Sequence, residues 1–355
     1  LTDRFIHNDV SQENRPHDSK SSILQRLNES NILRSSHLKG GCFMNCIQKR
    51  LAEHRVATYC IVTFALTWAF WFAAVYPRAL PLMEAGKSVF SDSLTVMLVG
   101  AGMFFPALGV VVTRLITGEG FHNVWIKPVQ FRRTWKYYVA GWLSPIGLVA
   151  VGGAAYFVLN PSQFDPSMPL FVEATQQQLE ASGQAASLDA AQIRMLGYAQ
   201  LALVLVAPLL NCITCFGEEW GWRGYLLPHL MEKRSITFSV VVGGIIWGLW
   251  HAPITALGHN YGLDYPGWPI LGIVAMCCFC VALSCLFSWL TLRAKSCLPA
   301  VFAHGAVNSC ISAPTMFLVG VANPFVGPTA TGIIGGIGFI VVAILCLHSL
   351  RKQQR

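Results

Sequence analysis

Five ionisable side chains lie in the most apolar part of the sequence, where each charge is expensive. One amide accompanies them, and the six residues are Glu218, Glu219, Arg223, His251, His304 and Asn308. Ionisable residues within such segments mark functional sites by default. A carboxylate beside a histidine can take a proton from water and pass one to a leaving amine, while an imidazole and an amide can stabilise an oxyanion. This combination predicts the hydrolysis of an acyl bond.

Helical spacing separates the two adjacent carboxylates. Glu219 precedes Arg223 by four residues, which is the favourable orientation for an ion pair on one helix face. Glu218 lies about 100° around the helix and lacks that partner. Trp222, four residues beyond Glu218, is expected to cover its face and keep bulk water out. We therefore predict that Glu219 has a supporting role and that Glu218 is the general base.

The same side chains also allow a zinc site. Two histidines and a carboxylate form a known catalytic zinc set, which here would be Glu218, His251 and His304. The sequence contains no HExxH motif, so the strongest zinc signal is missing. The cofactor is therefore unknown: zinc is possible, but a metal-independent mechanism is preferred.

The composition indicates that membrane helices position these residues. The chain has 355 residues, of which 54% are hydrophobic and 12% are charged, whereas soluble domains carry about twice that charge. About 20 apolar residues cross a bilayer. Eight runs approach or exceed this length, at roughly 56–76, 94–117, 135–159, 196–230, 236–256, 270–292, 298–317 and 332–350. We predict an all-α, polytopic membrane protein with about eight transmembrane helices and an active site inside the bundle.

The first 50 residues differ in composition from the rest of the chain. Residues 1–50 are polar and are expected to be disordered, while residues 51–350 form the predicted bundle. The sequence begins with Leu1, and Met44 runs directly into the first apolar run, so Met44 is the expected native start.

The distribution of basic residues predicts the orientation. With both termini on the cytoplasmic side, 22 of the 25 Lys and Arg residues fall in cytoplasmic segments, as the positive-inside rule requires. The protein is thus expected to be a multi-pass protein of the plasma (inner) membrane. This bias explains the net charge of +8, so nucleic-acid binding is not needed to explain it. The expected partners are the lipid bilayer and a peptide or protein substrate.

Residue counts from the basic turn at 233–234 predict the depth of the site. Glu218 lies 15 residues before Lys233 and His251 lies 17 residues after Arg234, so both lie roughly 20 to 25 Å from the turn. Pro228 is expected to shorten or bend the intervening helix and bring both residues nearer the cytoplasmic surface.

The histidine and amide of the seventh run are predicted to be shallower. His304 and Asn308 are four residues apart and share one helix face. His304 lies nine residues beyond Lys295, or about 13 Å along a helix. The count leaves open whether His304 reaches the other residues.

Three short motifs resemble those of a known family. The segments EEWGWRG at 218–224, WGLWH ending at His251 and HGAVN at 304–308 are similar to the motifs EExxxR, FxxxH and HxxxN (or B) of the CPBP family. This family comprises CAAX-processing and bacteriocin-processing intramembrane proteases. The similarity is clear over roughly 195–312. Trp247, one turn before His251, stands where the family usually has Phe.

The resemblance implies an intramembrane endopeptidase and a role for each motif. It implies that Glu218 and His251 activate the attacking water, and that His304 and Asn308 form the oxyanion pocket. From the depth of the site, we expect the peptide bond to be hydrolysed near the cytoplasmic half of the bilayer. By the same resemblance, the Glu219 and Arg223 side chains support the site.

Two other classes of protein fit part of the pattern. Titratable residues within several spans also mark proton-coupled transporters, for which the fourth span would be broken near Gly217 and Gly221. The CPBP family also includes non-catalytic immunity and scaffold proteins, whose function would survive replacement of Glu218.

Overall fold

The computed structural model describes residues 46–181 and 188–352. The chain divides into two compact units, Leu1–Lys49 and Arg50–Arg355. Residues 1–45 of the segment predicted to be disordered, residues 1–50, lie outside the described residues, as does the start predicted at Met44. Residues 46–50 of that segment are helical.

The described residues form an all-α fold, as predicted. Their only β feature is an isolated antiparallel bridge between Phe164 and Leu318. The helices are α1 Cys46–Glu53, α2 Arg55–Glu84, α3 Ser93–Thr117, α4 Phe131–Leu159, α5 Pro169–Ala181, α6 Ala190–Leu203, α7 Ala207–Met231, α8 Ile236–Trp250, α9 Ala252–Ala256, α10 Ile270–Ala294, α11 Leu298–Cys310 and α12 Ile337–Lys352.

Each of the eight predicted apolar runs overlaps at least one helix, but the helices differ in length. Four of those described are long and apolar enough to cross a membrane: α2, α3, α4 and α10. The α6–α7 pair is a fifth if its 58° bend lies within one span. Helices α8, α11 and α12 have 15, 13 and 16 residues. The described structure therefore has four or five helices of spanning length, where about eight were predicted.

Helix α7 carries the first motif and passes through Pro228 without ending. A π-helical turn at Trp222–Leu226 lies immediately before the last segment, Leu227–Met231. A proline lacks the N–H that a regular helix would need at this position, and a π turn can accommodate that loss. Of the two effects predicted for Pro228, shortening or bending of the helix, shortening therefore does not occur.

The glycines of α7 serve close packing, and no break occurs at them. A Cβ atom at Gly217 would collide with the backbone of Met103 and Phe104, and one at Gly221 would collide with Pro106. Both glycines thus let α7 approach the α3 segment closely. The break in this part of the chain lies at residues 204–206, between α6 and α7. The fourth predicted span is therefore broken, but at residues 204–206 and not near Gly217 and Gly221, where a break would have suited the transporter alternative.

Helix pairing brings the three motifs together. Helix α7 packs along α11, and α8 packs along α10. Helix α11 also packs against α10 and α4. Since the motifs lie on α7, α11 and the end of α8, these contacts place residues far apart in sequence around one centre.

Candidate active site

Glu219 joins the first and third motifs. Its Oε1 accepts hydrogen bonds from Nη1 of Arg223, at 3.0 Å, and from Nδ1 of His304, at 2.9 Å. The side chains of Arg223 and Glu219 are 2% and 0% exposed, and His304 is also buried. The predicted i,i+4 pair is therefore present, and His304 reaches it directly.

The shallow position predicted for His304 was wrong, because His304 reaches Glu219. Its Nδ1 lies 2.9 Å from Oε1 of Glu219, and both side chains are buried. The residue count started from Lys295, which is exposed, but the next two residues, Ser296 and Cys297, are already fully buried. Nine residues from Lys295 are therefore enough to bring His304 to the site.

Two indoles hold Glu218. Its Oε2 accepts hydrogen bonds from Nε1 of Trp247, at 2.6 Å, and from Nε1 of Trp222, at 3.2 Å. Glu218 is 2% exposed and has no ion-pair partner among the described residues. The sequence predicted the missing charged partner and the position of Trp222. It did not predict that both tryptophans donate hydrogen bonds to the carboxylate.

Trp247 contributes more than an aromatic surface. The guanidinium of Arg223 lies over its ring, with Cζ 4.2 Å from the ring centroid. Trp247 thus contacts both Glu218 and the Arg223–Glu219 pair. The phenylalanine usual in the family could pack at this position but has no N–H to donate.

The backbone orients His251. This residue directly follows α8, and its Nδ1 lies 2.8 Å from the carbonyl oxygen of Trp247. Because a carbonyl can only accept, Nδ1 must carry the proton. In the neutral ring, Nε2 is then free to accept a proton. No hydrogen bond joins His251 to Glu218 among the described contacts.

A cavity of about 360 Å³ collects the predicted catalytic residues. Glu218, His251, His304 and Asn308 all line it. Asn308 is exposed, and its Nδ2 lies 3.6 Å from the sulfur of Cys215. The structure therefore brings the four residues of the three motifs to one space large enough for a short peptide segment.

His259 also lines this cavity, and the sequence reasoning missed it. Its ring is parallel to that of His251, with the centroids 6.1 Å apart, and it lies against Phe90. The sequence did hold a sign of this residue, because His259 lies within residues 195–312, over which the chain resembles the family. It was overlooked because it falls outside the three short patterns.

The cavity lies at the end of the bundle opposite the basic turns. Phe90, His259 and Ser312 line its far end, and these residues follow α2, α9 and α11. The basic turns at 233–234 and at Lys295 lie at the other ends of α7, α8, α10 and α11. If those turns are cytoplasmic, the site lies toward the non-cytoplasmic half. With that orientation, the geometry would differ from the predicted cytoplasmic depth.

The possible zinc ligands do not fit a metal site. Over residues 46–181 and 188–352, no group of three or more His, Cys, Asp and Glu side chains is arranged to hold a metal ion. Within the set predicted for zinc, Nδ1 of His304 is bound to Glu219 and Nδ1 of His251 to a carbonyl, which leaves Nε2 as the ring atom that could face a metal. Glu218, His251 and His304 are not grouped closely enough in the described structure to form a three-ligand set.

Comparison with known proteins supports the motif assignment. Residues 200–310 match the family model described as type II CAAX prenyl endopeptidase Rce1-like. A curated relative, CAAX prenyl protease 2 of Methanococcus maripaludis, is 27% identical over 92 residues. That alignment covers 26% of this chain and 34% of the relative, so it spans about a third of the relative's length. The matched residues contain all three motifs, which confirms the resemblance to the CPBP family.

Proposed function

Residues 200–310 make this chain a relative of the CPBP family, and from this premise we propose that it is an intramembrane endopeptidase. Its substrates would be membrane-associated proteins or peptides. The observation that carries the proposal is the cavity that Glu218, His251, His304 and Asn308 line together. The buried carboxylate and the imidazoles belong to three separate motifs, yet they face one space.

The proposed reaction begins with a water molecule between Glu218 and the substrate carbonyl. Glu218 takes a proton from this water as the oxygen attacks, and His251 assists through its free Nε2. The Nδ1–H of His304 is held by Glu219, so His304 donates to the developing oxyanion from Nε2 as an imidazolium, together with the Asn308 amide. The proton on Glu218 then passes to the leaving amine.

A cleavage assay with membrane-anchored peptides tests the proposal. The purified protein, reconstituted in vesicles, should release fragments that mass spectrometry can identify. Comparing membrane proteomes of cells that carry the wild type or Glu218→Ala should show accumulated precursors in the variant. A biological function that persists unchanged in the Glu218→Ala variant would favour the non-catalytic immunity or scaffold role.

Replacing Trp247 by phenylalanine should slow cleavage by a factor between about ten and one hundred. The substitution keeps the aromatic packing but removes the 2.6 Å hydrogen bond to Glu218, and a bond to a charged group contributes about 1.5–3 kcal/mol. We expect kcat to fall more than KM rises, because the lost contact positions the base rather than the substrate. The matched control is Trp289→Phe, which removes an indole bond to Ser349. Equal rates for the two variants would contradict a positioning role for Trp247.

Chelation is expected to leave cleavage unchanged, since we propose a metal-independent mechanism. The measurement is activity before and after dialysis against a chelator, together with the zinc content of the purified protein. Stoichiometric zinc that is lost together with activity would overturn the mechanism.

We also propose that the protein spans the plasma (inner) membrane with both termini cytoplasmic. The distribution of Lys and Arg supports this orientation. Reporter fusions at the C-terminus that become active outside the cytoplasm would contradict it.

A further inference from the structure

A second cavity lies at the basic end of the bundle. Its volume is about 760 Å³, which is larger than that of the catalytic cavity, and none of the residues assigned to catalysis line it. Its charged lining consists of four cations and two carboxylates, so it carries a net charge of +2 with histidines neutral. These residues are Arg55, Arg114, Lys127, Lys295, Glu119 and Glu232.

The carboxylates of this cavity already have partners. Glu119 accepts a hydrogen bond of 2.7 Å from the Tyr225 hydroxyl, and its other oxygen lies 3.6 Å from both Arg55 and His229. Burial raises the pKa of Glu119, but the bonds from His229 and Tyr225 and the charge of Arg114 outweigh burial and lower it to about 2. Glu119 is thus a permanent anion whose charge its own neighbours compensate.

Three of the cationic side chains still have N–H groups or charge that no protein partner uses. No ion pair to Lys127 or Lys295 occurs among the described contacts, and both side chains are exposed where they line the cavity. Arg114 is 4% exposed, and its Nη1 donates to the carbonyl oxygens of Gly120 and His122. The buried Nε of Arg114 has no acceptor. A buried donor without a partner is unfavourable, so the protein neighbours of Arg114 leave part of its guanidinium unsatisfied.

The backbone around the cavity is held in an unusual conformation. Asn123, Trp125 and Lys295 all line it, and all have left-handed φ angles, of 52°, 57° and 53°. Such residues are uncommon outside glycine and cluster at ligand sites and switch regions. The carbonyl oxygen of Trp125 accepts a 2.7 Å bond from the backbone N–H of Cys297, which ties the two loops together. Lys127 and Lys295 are therefore presented from connected loops.

We propose that this cavity binds a phosphate group. Lysine acts as a point-charge partner of phosphate, and a guanidinium N–H adds a directed bond. The cavity lies at the same end as the basic turn at 233–234, where acidic lipids concentrate if that end is cytoplasmic. Phe121, which also lines the cavity, is 51% exposed and provides an apolar edge. The phosphate can come from the headgroup of an acidic phospholipid or from a free phosphate.

The site is joined to the catalytic helix. Tyr225 and His229, which hold Glu119, belong to α7 and follow Arg223 by two and six residues. Arg114 also contacts this helix, with Cζ 5.2 Å from the centroid of the Tyr225 ring, so phosphate bound to Arg114 would stabilise the end of the helix that carries Glu218. The prediction concerns binding and stability, so it does not depend on the proposed protease activity.

Thermal unfolding of the full-length protein tests the site. The wild type is compared in detergent with and without inorganic phosphate, and in nanodiscs of phosphatidylcholine with and without phosphatidylglycerol. The cavity variant is Lys127→Gln/Lys295→Gln, and the matched control is Lys87→Gln/Lys352→Gln, which removes two exposed lysines elsewhere. We expect phosphate or phosphatidylglycerol to raise the Tm of the wild type and the control. The cavity variant should bind the phosphate or phosphatidylglycerol at least about tenfold more weakly than the wild type.

The outcomes separate the two sources of phosphate. If only phosphatidylglycerol raises the Tm of the wild type, the ligand is a lipid headgroup. If only inorganic phosphate raises it, the ligand is a free phosphate. If neither ligand raises the Tm of the wild type, the proposal is wrong. If the cavity variant and the control variant lose the ligand-induced rise in Tm equally, the proposal is also wrong, because the ligand is then attracted only by the overall positive charge.

Discussion

Replacing Glu218 by glutamine is expected to reduce peptide cleavage by about 10³-fold while the folded bundle is retained. Glutamine has nearly the same shape, and its carbonyl oxygen can still accept hydrogen bonds from Trp222 and Trp247. The amide cannot take a proton from water, so the proposed base is lost. A purely structural role for Glu218 predicts a much smaller effect, because the buried hydrogen bonds remain.

Single-turnover cleavage rates and thermal melting together measure this effect. The matched control is Glu84→Gln, an exposed carboxylate at the end of α2, which should keep the wild-type rate. A Glu218→Gln protein that melts like the wild type and cleaves at the wild-type rate would exclude Glu218 as the base. Loss of both folding and activity would indicate that this carboxylate contributes to stability as well.

Replacing Arg223 by methionine should lower the free energy of unfolding by about 3–5 kcal/mol. The change leaves the Glu219 carboxylate buried without its cationic partner, and only His304 remains bonded to it. Arg223 also lies over the rings of Trp247 and Phe287, so its removal disturbs packing. Removing one member of a fully buried ion pair is more harmful than removing both, because an uncompensated charge then remains.

Unfolding in mixed micelles measures the loss, and the double variant tests its cause. Glu219→Gln/Arg223→Met should recover much of the lost stability, because no unpaired charge remains, but it should stay inactive. The matched control is Arg78→Met, which breaks an exposed pair with Asp92. Exposed pairs contribute about 0–1 kcal/mol. Similar losses for Arg78→Met and Arg223→Met would contradict the importance of burial.

Much of the local arrangement could be predicted from the sequence. Glu219 and Arg223 pair because helical geometry places residues four apart on one face, and this geometry needs no tertiary information. The same geometry predicted that Trp222 would lie beside Glu218. The all-α membrane character followed from the long apolar runs, because a backbone surrounded by lipid must satisfy its own hydrogen bonds.

Residue counts along the helices predicted depth poorly. They place Glu218 and His251 level with each other only if both helices start at one level, and they placed His304 too shallow, although it bonds to Glu219. The sequence also did not show that a π-helical turn carries α7 past Pro228. The level at which a helix begins and a local change in helix type leave no clear periodic signal.

The sequence by itself determined the chemistry that is available: two adjacent carboxylates, an arginine one helical turn away and two motifs that supply imidazole and amide groups. Only the tertiary structure decided which side chains meet. The hydrogen bond from Trp247 to Glu218 joins residues 29 positions apart, and that from His304 to Glu219 joins residues 85 positions apart. The physical reason is that helical spacing acts over a few residues, whereas contacts between helices depend on the packing of α7 with α8 and α11.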